Sequence, residues 1–238
     1  MSGPRRRSAL IARLADRPAG SAQSAIVDEL RAVILHGQVP PGSAIPVDAV
    51  AAEFGVSRIP VREALMTLIG EGLVDHRANG GYRVAMMTAR EFGEIYLVRE
   101  ALESAALRVA VAGATSDDDR SARAALRALD AAIEAGDGGA AYHRESRRFH
   151  LALIVPCRMR RLLGMLESAW NMTEPLRPMS HLTGSDRELL HADHAGMLAA
   201  FLRRDADALA GVCAAHHGRL QGFISVLPRD IGLFAEDD

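Results

Sequence analysis

The 238-residue chain is 49% apolar and 4% aromatic, and its 28 basic side chains, all arginines, face 30 acidic ones. This length accommodates two domains with separate cores, and the composition is typical of a soluble, Ala- and Leu-rich helical protein. We expect a cytoplasmic protein, since no apolar run could span a bilayer, the basic N-terminus lacks the apolar core of a signal peptide, and two isolated cysteines form no disulfide framework or zinc knuckle.

Charge is unevenly distributed along the chain. Residues 1–87 hold ten arginines and eight acidic residues, whereas residues 88–238 hold eighteen and twenty-two. The net charge of −2 is therefore a poor guide to nucleic-acid binding, which needs basic residues only on the docking face. We predict that residues 1–20 form a disordered basic arm, which either extends over DNA phosphates or is a solvated tail.

Residues 49–73 have the pattern of two short helices around a glycine turn. Gly55 supplies the backbone freedom that a tight turn needs. Ser57 is placed to cap the second helix with its hydroxyl, and Pro60 falls in the first turn, where an amide hydrogen would have no intrahelical partner. The second helix is therefore predicted to begin near Arg58.

The exposed face of this second helix carries Arg58 and Arg62, four residues apart. Each guanidinium can bind the O6 and N7 of a guanine in the major groove. A helical hairpin with two solvated arginines is the simpler interpretation of the helices alone, because short motifs give many false matches. However, residues 73–77 and 81–84 read as two strands joined by a hairpin turn. A helix-turn-helix followed by a hairpin is a winged helix.

Residues 21–84, within a predicted winged-helix domain of residues 21–87, resemble the DNA-binding domain of the GntR family of bacterial transcription regulators. The similarity lies in LRAVILHGQVPPGSAI, FGVSRIPVREAL, EGLV and a Gly-Gly wing. It implies five DNA contacts: base reading by Arg58 and Arg62, a phosphate contact by Ser57, and an approach to the minor groove by Asn79 and Gly80.

Two residues depart from the pattern of the family. Ile59 stands where a hydroxyl residue is usual, and Asp48 stands where some members carry a basic contact. Both changes alter the expected number of phosphate contacts, and hence the expected operator sequence.

From residue 88 onward the pattern is helical. A capping box at residues 88–91 marks the domain boundary. We predict helices at about 88–113, 117–136, 139–155, 158–173, 184–203 and 206–226. The predicted fold class is mostly α: an N-terminal winged helix-turn-helix and, over residues 88–228, an antiparallel bundle of about six helices, with a tail at residues 229–238.

Seven of the nine histidines lie in this predicted bundle, between residues 143 and 217. His150, His194 and His216 are on three different helices, so their imidazoles can converge on one transition-metal ion. Spacing alone leaves open that they are ordinary core or surface histidines.

Residues 90–220 resemble the FCD effector domain of one branch of the GntR family, through LVREALE, YHRESRRFH, DHAGMLAAFLRRDADAL and VCAAHH. In that domain an aspartate and three histidines bind a metal, and the resemblance places the histidines at His150, His194 and His216. Ser146 stands at the aspartate position. A hydroxyl is a weaker ligand than a carboxylate, so a metal-free effector pocket is the alternative to a Zn or Ni site.

The neighbours of these residues are expected to stay outside the site. Glu145 projects about 100° away around the helix, and His143, His191 and His217 are expected to be solvated.

Arg99 and Glu103 lie one turn apart on the first bundle helix. They form either an i,i+4 salt bridge or, by the resemblance, Arg99 faces a cavity and pairs with an anionic effector, for which its fork is suited. Ser146 and Asn171 are the other predicted effector-binding residues. Trp170 lines the same cavity or is core.

The sequence therefore predicts a homodimeric transcription regulator rather than an enzyme. It would bind double-stranded operator DNA, repress a catabolic operon, respond to a small carboxylate and have no membrane partner. A metal-responsive regulator is one alternative. A helical-bundle metal enzyme is another, since three histidines with an open position can activate water, although no general base is evident.

Overall fold

The computed structural model describes residues 10–11, 22–78, 80–135, 139–226 and 234–235. In this part of the chain the helices are α1 (Ala22–Leu35), α2 (Val47–Phe54), α3 (Arg58–Gly70), α4 (Ala89–Gly113), α5 (Ser116–Ala135), α6 (Ala140–Ile154), α7 (Arg160–Thr173), α8 (Gly184–Leu202) and α9 (Ala206–Ser225), and the strands are β1 (Ala44–Ile45), β2 (Val74–Arg77) and β3 (Gly81–Val84). The predicted fold class, mostly α with a winged helix and a six-helix bundle, is confirmed. None of the helices described is long and apolar enough to cross a membrane.

The described residues divide into two compact units. The first holds the residues up to Thr88, together with Asn171–Leu176 and residues 234–235. The second holds Ala89–Trp170 and residues 177–226.

The first unit is a winged helix. Its antiparallel sheet has the order β1-β3-β2, and Val74 pairs with Val84 in the hairpin. The strand β1 was not predicted, because two residues ending at a proline are too short to show an alternating pattern. Apolar side chains from α1, α2, α3 and the sheet form one core, including Ile26, Leu30, Val50, Leu65 and Leu68.

The turn between α2 and α3 has the predicted geometry. Gly55 adopts a left-handed conformation, with φ 65° and ψ 36°, and α3 begins at Arg58. The predicted cap is wrong, because the Ser57 hydroxyl makes no hydrogen bond to the helix although Ser57 occupies the N-cap position. The third residue of the helix is Pro60, which has no amide hydrogen to donate. The Ser57 side chain is exposed instead.

The chain ends make two contacts that the sequence did not indicate. Leu10 and Ile11, within the predicted disordered arm, are buried in the winged-helix core, and the rest of that arm lies outside the described residues. In the predicted tail, the Ala235 amide donates a hydrogen bond of 2.9 Å to the Met87 carbonyl. The burial of Leu10 and Ile11 departs from a purely solvated arm.

The second unit is the helical bundle. The helix α4 packs against α6 and α9, and α8 packs against the same two helices, while α5 lies on α6 and α8. Thus α4, α6, α8 and α9 enclose a common interior. A capping box between Thr183 and Asp186 stabilises the N-terminus of α8. At the N-terminus of α9, the Asp205 carboxylate accepts a hydrogen bond from the Ala208 amide.

Replacing Gly55 tests the helix-turn-helix geometry. A side chain in the left-handed region costs about 1–2 kcal/mol, so Gly55→Ala should lower the free energy of unfolding of the winged helix by about that amount in urea denaturation. Gly70→Ala is the matched control, since Gly70 ends α3 and a Cβ there would meet nothing within 4 Å. Equal losses in the two variants would contradict the assigned turn.

Candidate functional site

The four enclosing helices share a buried polar cluster. Each member is at most 7% exposed. The members are Arg99 and Glu103 on α4, Ser146 and His150 on α6, His194 on α8, and Cys213, His216 and His217 on α9. Helical spacing explains the convergence, because residues three or four apart point to the same side of a helix.

The three predicted metal-binding histidines meet in this cluster. His150, His194 and His216 each offer one ring nitrogen, and these nitrogens lie within 4.8 Å of one another. The Nε2 atoms of His150 and His194 are 3.2 Å apart. Two nitrogens bound to a tetrahedral zinc ion at about 2.0–2.1 Å would be roughly 3.3 Å apart. The residues therefore fit a transition-metal ion.

The Nδ1 atom of each of these histidines faces another polar group. His150 Nδ1 is 3.1 Å from Glu103 Oε2, and His194 Nδ1 is 3.5 Å from the Tyr142 hydroxyl. His216 Nδ1 lies 3.5 Å from Asp193 Oδ2. Metal-binding histidines commonly pair the second nitrogen with such groups, which orient the ring and select the tautomer. For His150 and His194 the arrangement leaves Nε2 as the nitrogen available to an ion.

Burial also sets the protonation of two of the histidines. Burial, reinforced by the neighbouring imidazoles, holds the pKa of His194 well below its ordinary value. Burial likewise lowers the pKa of His216 to about 4, although Asp193 opposes the shift. Both rings are neutral at pH 7, which is the form that binds a metal.

Asp193 is held in its ionised form beside His216. Partial burial disfavours the Asp193 carboxylate, but His216 and Arg219 outweigh this effect and lower its pKa. Arg219 Nε donates to Asp193 Oδ2 over 3.0 Å. The carboxylate therefore lies as an anion beside His216 Nδ1, which makes no hydrogen bond at their separation of 3.5 Å.

Ser146 lies at the site, as its spacing from His150 predicts. Its Oγ is 3.5 Å from His194 Nε2. A serine brings no negative charge, so the three histidines and Ser146 would leave the charge of a divalent ion uncompensated.

Glu103 is the functional candidate that sequence reasoning underestimated, since it was considered only as the partner of Arg99. Its side chain is fully buried. Burial opposes ionisation, yet His217 and His150 hold the pKa of Glu103 well below its ordinary value. The sequence could have predicted a place for Glu103 in the site, because Glu103 is four residues from Arg99 and shares its face of α4.

Arg99 is buried beside this carboxylate. Its Nη2 lies 3.7 Å from Glu103 Oε1, and its guanidinium carbon is 4.4 Å from the Tyr96 ring centre and 5.1 Å from that of Trp170. The predicted salt-bridge geometry is present, and the effector contact stays a prediction. Asn171 belongs to the first unit, and its predicted role is likewise untested.

One expectation about the neighbouring histidines is wrong. His217 is 1% exposed rather than solvated, because its side chain lies on the α9 face that meets α4, one turn after Cys213. His191 is half-buried and its Nε2 lies 2.7 Å from Asp130 Oδ1. Glu145 is engaged by Arg144 and Arg148, and does not belong to the histidine group.

The predicted DNA-reading face lies on the surface of the first unit. Ser57, Arg58 and Arg62 are exposed at the start of α3, as is Gly80 in the wing, and Asn79 lies outside the described residues. Two further features concern the residues that depart from the family pattern. Ile59 is 67% exposed, and the Arg58 guanidinium forms an ion pair with Asp48.

A winged helix followed by a helical bundle with a buried polar cluster is the architecture of a DNA-binding transcription regulator. Residues 22–84 match the bacterial regulatory proteins of the gntR family, and residues 94–219 match the FCD domain. The chain therefore belongs to the GntR family of bacterial transcription regulators, in its FCD branch, and is a regulator rather than an enzyme.

Individual relatives support this assignment. The chain is 25% identical over 189 residues to the HTH-type transcriptional regulator YdhC of Bacillus subtilis, covering 79% of this chain and 84% of the relative. It is 28% identical to the HTH-type transcriptional repressor RspR of Escherichia coli, covering 79% and 82%. The solved structure of E. coli McbR/YncC has the same fold, with a TM-score of 0.75, 23% identity and coverage of 87% and 98%.

The lowered pKa values predict a pH dependence of the metal-free protein. In the unfolded chain these histidines gain a proton near pH 6.5, whereas His216 and His194 stay neutral in the fold. Because the unfolded state then binds more protons, the free energy of unfolding should fall as the pH drops below 6.5 toward about 4. The fall is at most ~1.4 kcal/mol per pH unit for each histidine.

Urea denaturation of the chelator-treated protein between about pH 5 and 8 measures this slope. His216→Gln should flatten it, whereas His36→Gln, which removes an exposed histidine, should not. A wild-type slope no steeper than that of His216→Gln would rule out a neutral, buried His216.

Proposed function

We propose that this protein is a homodimeric repressor whose operator binding responds to a small carboxylate at a metal in the helical bundle. The observation that carries the metal and effector part is the convergence of His150, His194 and His216 without an anionic ligand among them. A C2 dimer suits a palindromic operator, since each subunit presents one α3 to one half-site. The name of the relative RspR, a transcriptional repressor, supports repression.

Base reading is proposed for the exposed end of α3. Val61, Ala64 and Leu65 of this helix are buried in the core, so the opposite face with Arg58 and Arg62 is the one that can enter a major groove. The exposed Ile59 lies between these arginines and offers an apolar contact to a thymine methyl group. The Ser57 hydroxyl, unused as a cap, can bind a phosphate.

Asp48 competes with DNA for Arg58. The two side chains are 69% and 63% exposed, so their ion pair contributes little stability and breaks readily. A guanine must displace the Asp48 carboxylate, and this competition weakens DNA binding. The same ion pair also holds the guanidinium near the position from which it reads a base.

The effector is proposed to supply the missing negative charge. A divalent metal ion bound by three neutral histidines keeps a net charge of +2 and open coordination positions. A carboxylate can bind to these positions. Arg99 offers a second cationic contact within the same cluster. Such an effector changes operator binding only if it binds two arrangements of the protein with different affinity.

Substitution of the reading arginines tests the DNA part of the proposal. Arg58→Ala and Arg62→Ala should each weaken binding to the upstream region of the protein's own gene by about 1–3 kcal/mol, or roughly 5- to 150-fold. Mobility-shift titration at fixed salt measures the change. Arg120→Ala, which removes an exposed arginine of the bundle, should have no effect, and Asp48→Asn should strengthen binding by less than about fivefold. Full specific affinity in both reading variants would exclude this readout.

Restoring the carboxylate tests the metal part. Ser146→Asp places a negative charge beside His194, so it should raise the affinity for Zn²⁺, and His194→Ala should lower it. Ser168→Asp, which adds the same charge at an exposed position of α7, should leave the affinity for Zn²⁺ unchanged. Competition with a chromophoric chelator measures the Zn²⁺ affinity of the wild type and of the three variants.

Operator affinity before and after chelation then separates the two kinds of regulator. If Zn²⁺ alone changes operator affinity, the ion is the signal, and the carboxylate-response proposal is replaced by metal sensing. If only Zn²⁺ with a small carboxylate does so, the proposal stands. Equal, negligible zinc affinity in the wild type and Ser146→Asp would refute the three-histidine site.

A further inference from the structure

A second group of metal-binding side chains lies beside the three histidines. Glu103 on α4 and Cys213 and His217 on α9 each offer one ligand atom, and these atoms lie within 4.8 Å of one another. Each of these side chains is at most 1% exposed. Cys213 and His217 are one helical turn apart and therefore share a helix face, and α9 packs directly on α4.

Several atoms of this group lack the hydrogen bonds that buried polar atoms require. Within the described residues, both ring nitrogens of His217 and Oε1 of Glu103 have no hydrogen-bond partner. An unsatisfied buried polar atom is energetically costly and points to a partner such as a water or an ion.

The distance between His217 and Glu103 suits a shared ion. His217 Nε2 lies 3.2 Å from Glu103 Oε2, yet the pair does not meet hydrogen-bond geometry. Two ligand atoms on a tetrahedral zinc ion, at bonds of about 2.0–2.2 Å, are separated by roughly 3.3 Å. One cation held by these two atoms would give His217 Nε2 the partner that it lacks.

Charge and ligand type both favour a zinc-like ion here. A thiolate and a carboxylate together neutralise a divalent cation, whereas the three-histidine group supplies no negative charge. Thiolate with imidazole is a donor set for borderline-soft ions rather than for magnesium or calcium. The guanidinium of Arg99 lies 3.7 Å from Glu103 Oε1 and repels a cation. The negative charge of the Cys213 thiolate is needed to outweigh this repulsion.

We propose that Glu103, Cys213 and His217 form a second metal site, for Zn²⁺ or a similar ion, next to the three-histidine site. Binding converts the Cys213 thiol to a metal-bound thiolate, and its proton leaves to solvent. The two sites meet at Glu103, because Oε2 also lies 3.1 Å from His150 Nδ1. The second site does not require a metal in the first, so the two proposals can fail separately.

Cobalt titration of the metal-free, full-length chain tests this second site. Co²⁺ replaces Zn²⁺ and reports sulfur ligation through thiolate-to-cobalt charge-transfer absorption in the near ultraviolet. We expect two Co²⁺ per chain and this absorption in the wild type. Cys213→Ser should lose one Co²⁺ and the entire absorption.

The other buried cysteine provides the matched control. Cys157 is also free and buried, but it belongs to neither ligand group, so Cys157→Ser should retain both ions and the absorption. His194→Ala should lose one Co²⁺ and keep the absorption. Absence of the absorption in the wild type, its loss in Cys157→Ser, or its survival in Cys213→Ser overturns the second site.

Two further results separate this site from the proposed function. One Co²⁺ per chain with the thiolate absorption, unchanged by His194→Ala, supports the second site and refutes the three-histidine site. If Cys213→Ser does not fold by circular dichroism, the comparison of wild type with Cys157→Ser still decides which thiol binds.

Discussion

The buried carboxylate of Glu103 is the constraint on which the interior of the bundle depends. A carboxylate removed from water is strongly destabilised unless cationic or hydrogen-bonding groups surround it. His150 and His217 approach within 3.1 and 3.2 Å, and Arg99 lies 3.7 Å away. These partners come from α6, α9 and α4, so the charge of one side chain ties the relative positions of three helices to the chemistry between them.

The two units use charge in opposite ways. In the winged helix the core is apolar, and the arginines of α3 lie at the surface, where they are free to exchange one partner for another. In the bundle, Arg99 and Glu103 are buried, and the loss of either partner would leave an unpaired charge inside.

Much of this arrangement could be predicted because it follows from periodicity and turn chemistry. The six bundle helices, the hairpin and the start of α3 at Arg58 are set by local patterns. The failures have physical causes that no local pattern shows. The Ser57 cap is lost because Pro60 has no amide hydrogen, and the burial of His217 and the central position of Glu103 depend on which helix faces which.

The ion pair between Asp48 and Arg58 has a consequence for how such a protein would find its operator. Non-specific attraction to DNA comes from cations that neutralise phosphates, and an arginine already matched by a carboxylate adds little to it. In the proposed readout, a guanine offers the cation a bidentate partner in place of the carboxylate, and unrelated sequence offers none. The chain would then dwell briefly on unrelated sequence, and residence time, more than encounter rate, would distinguish the operator from the rest of the genome.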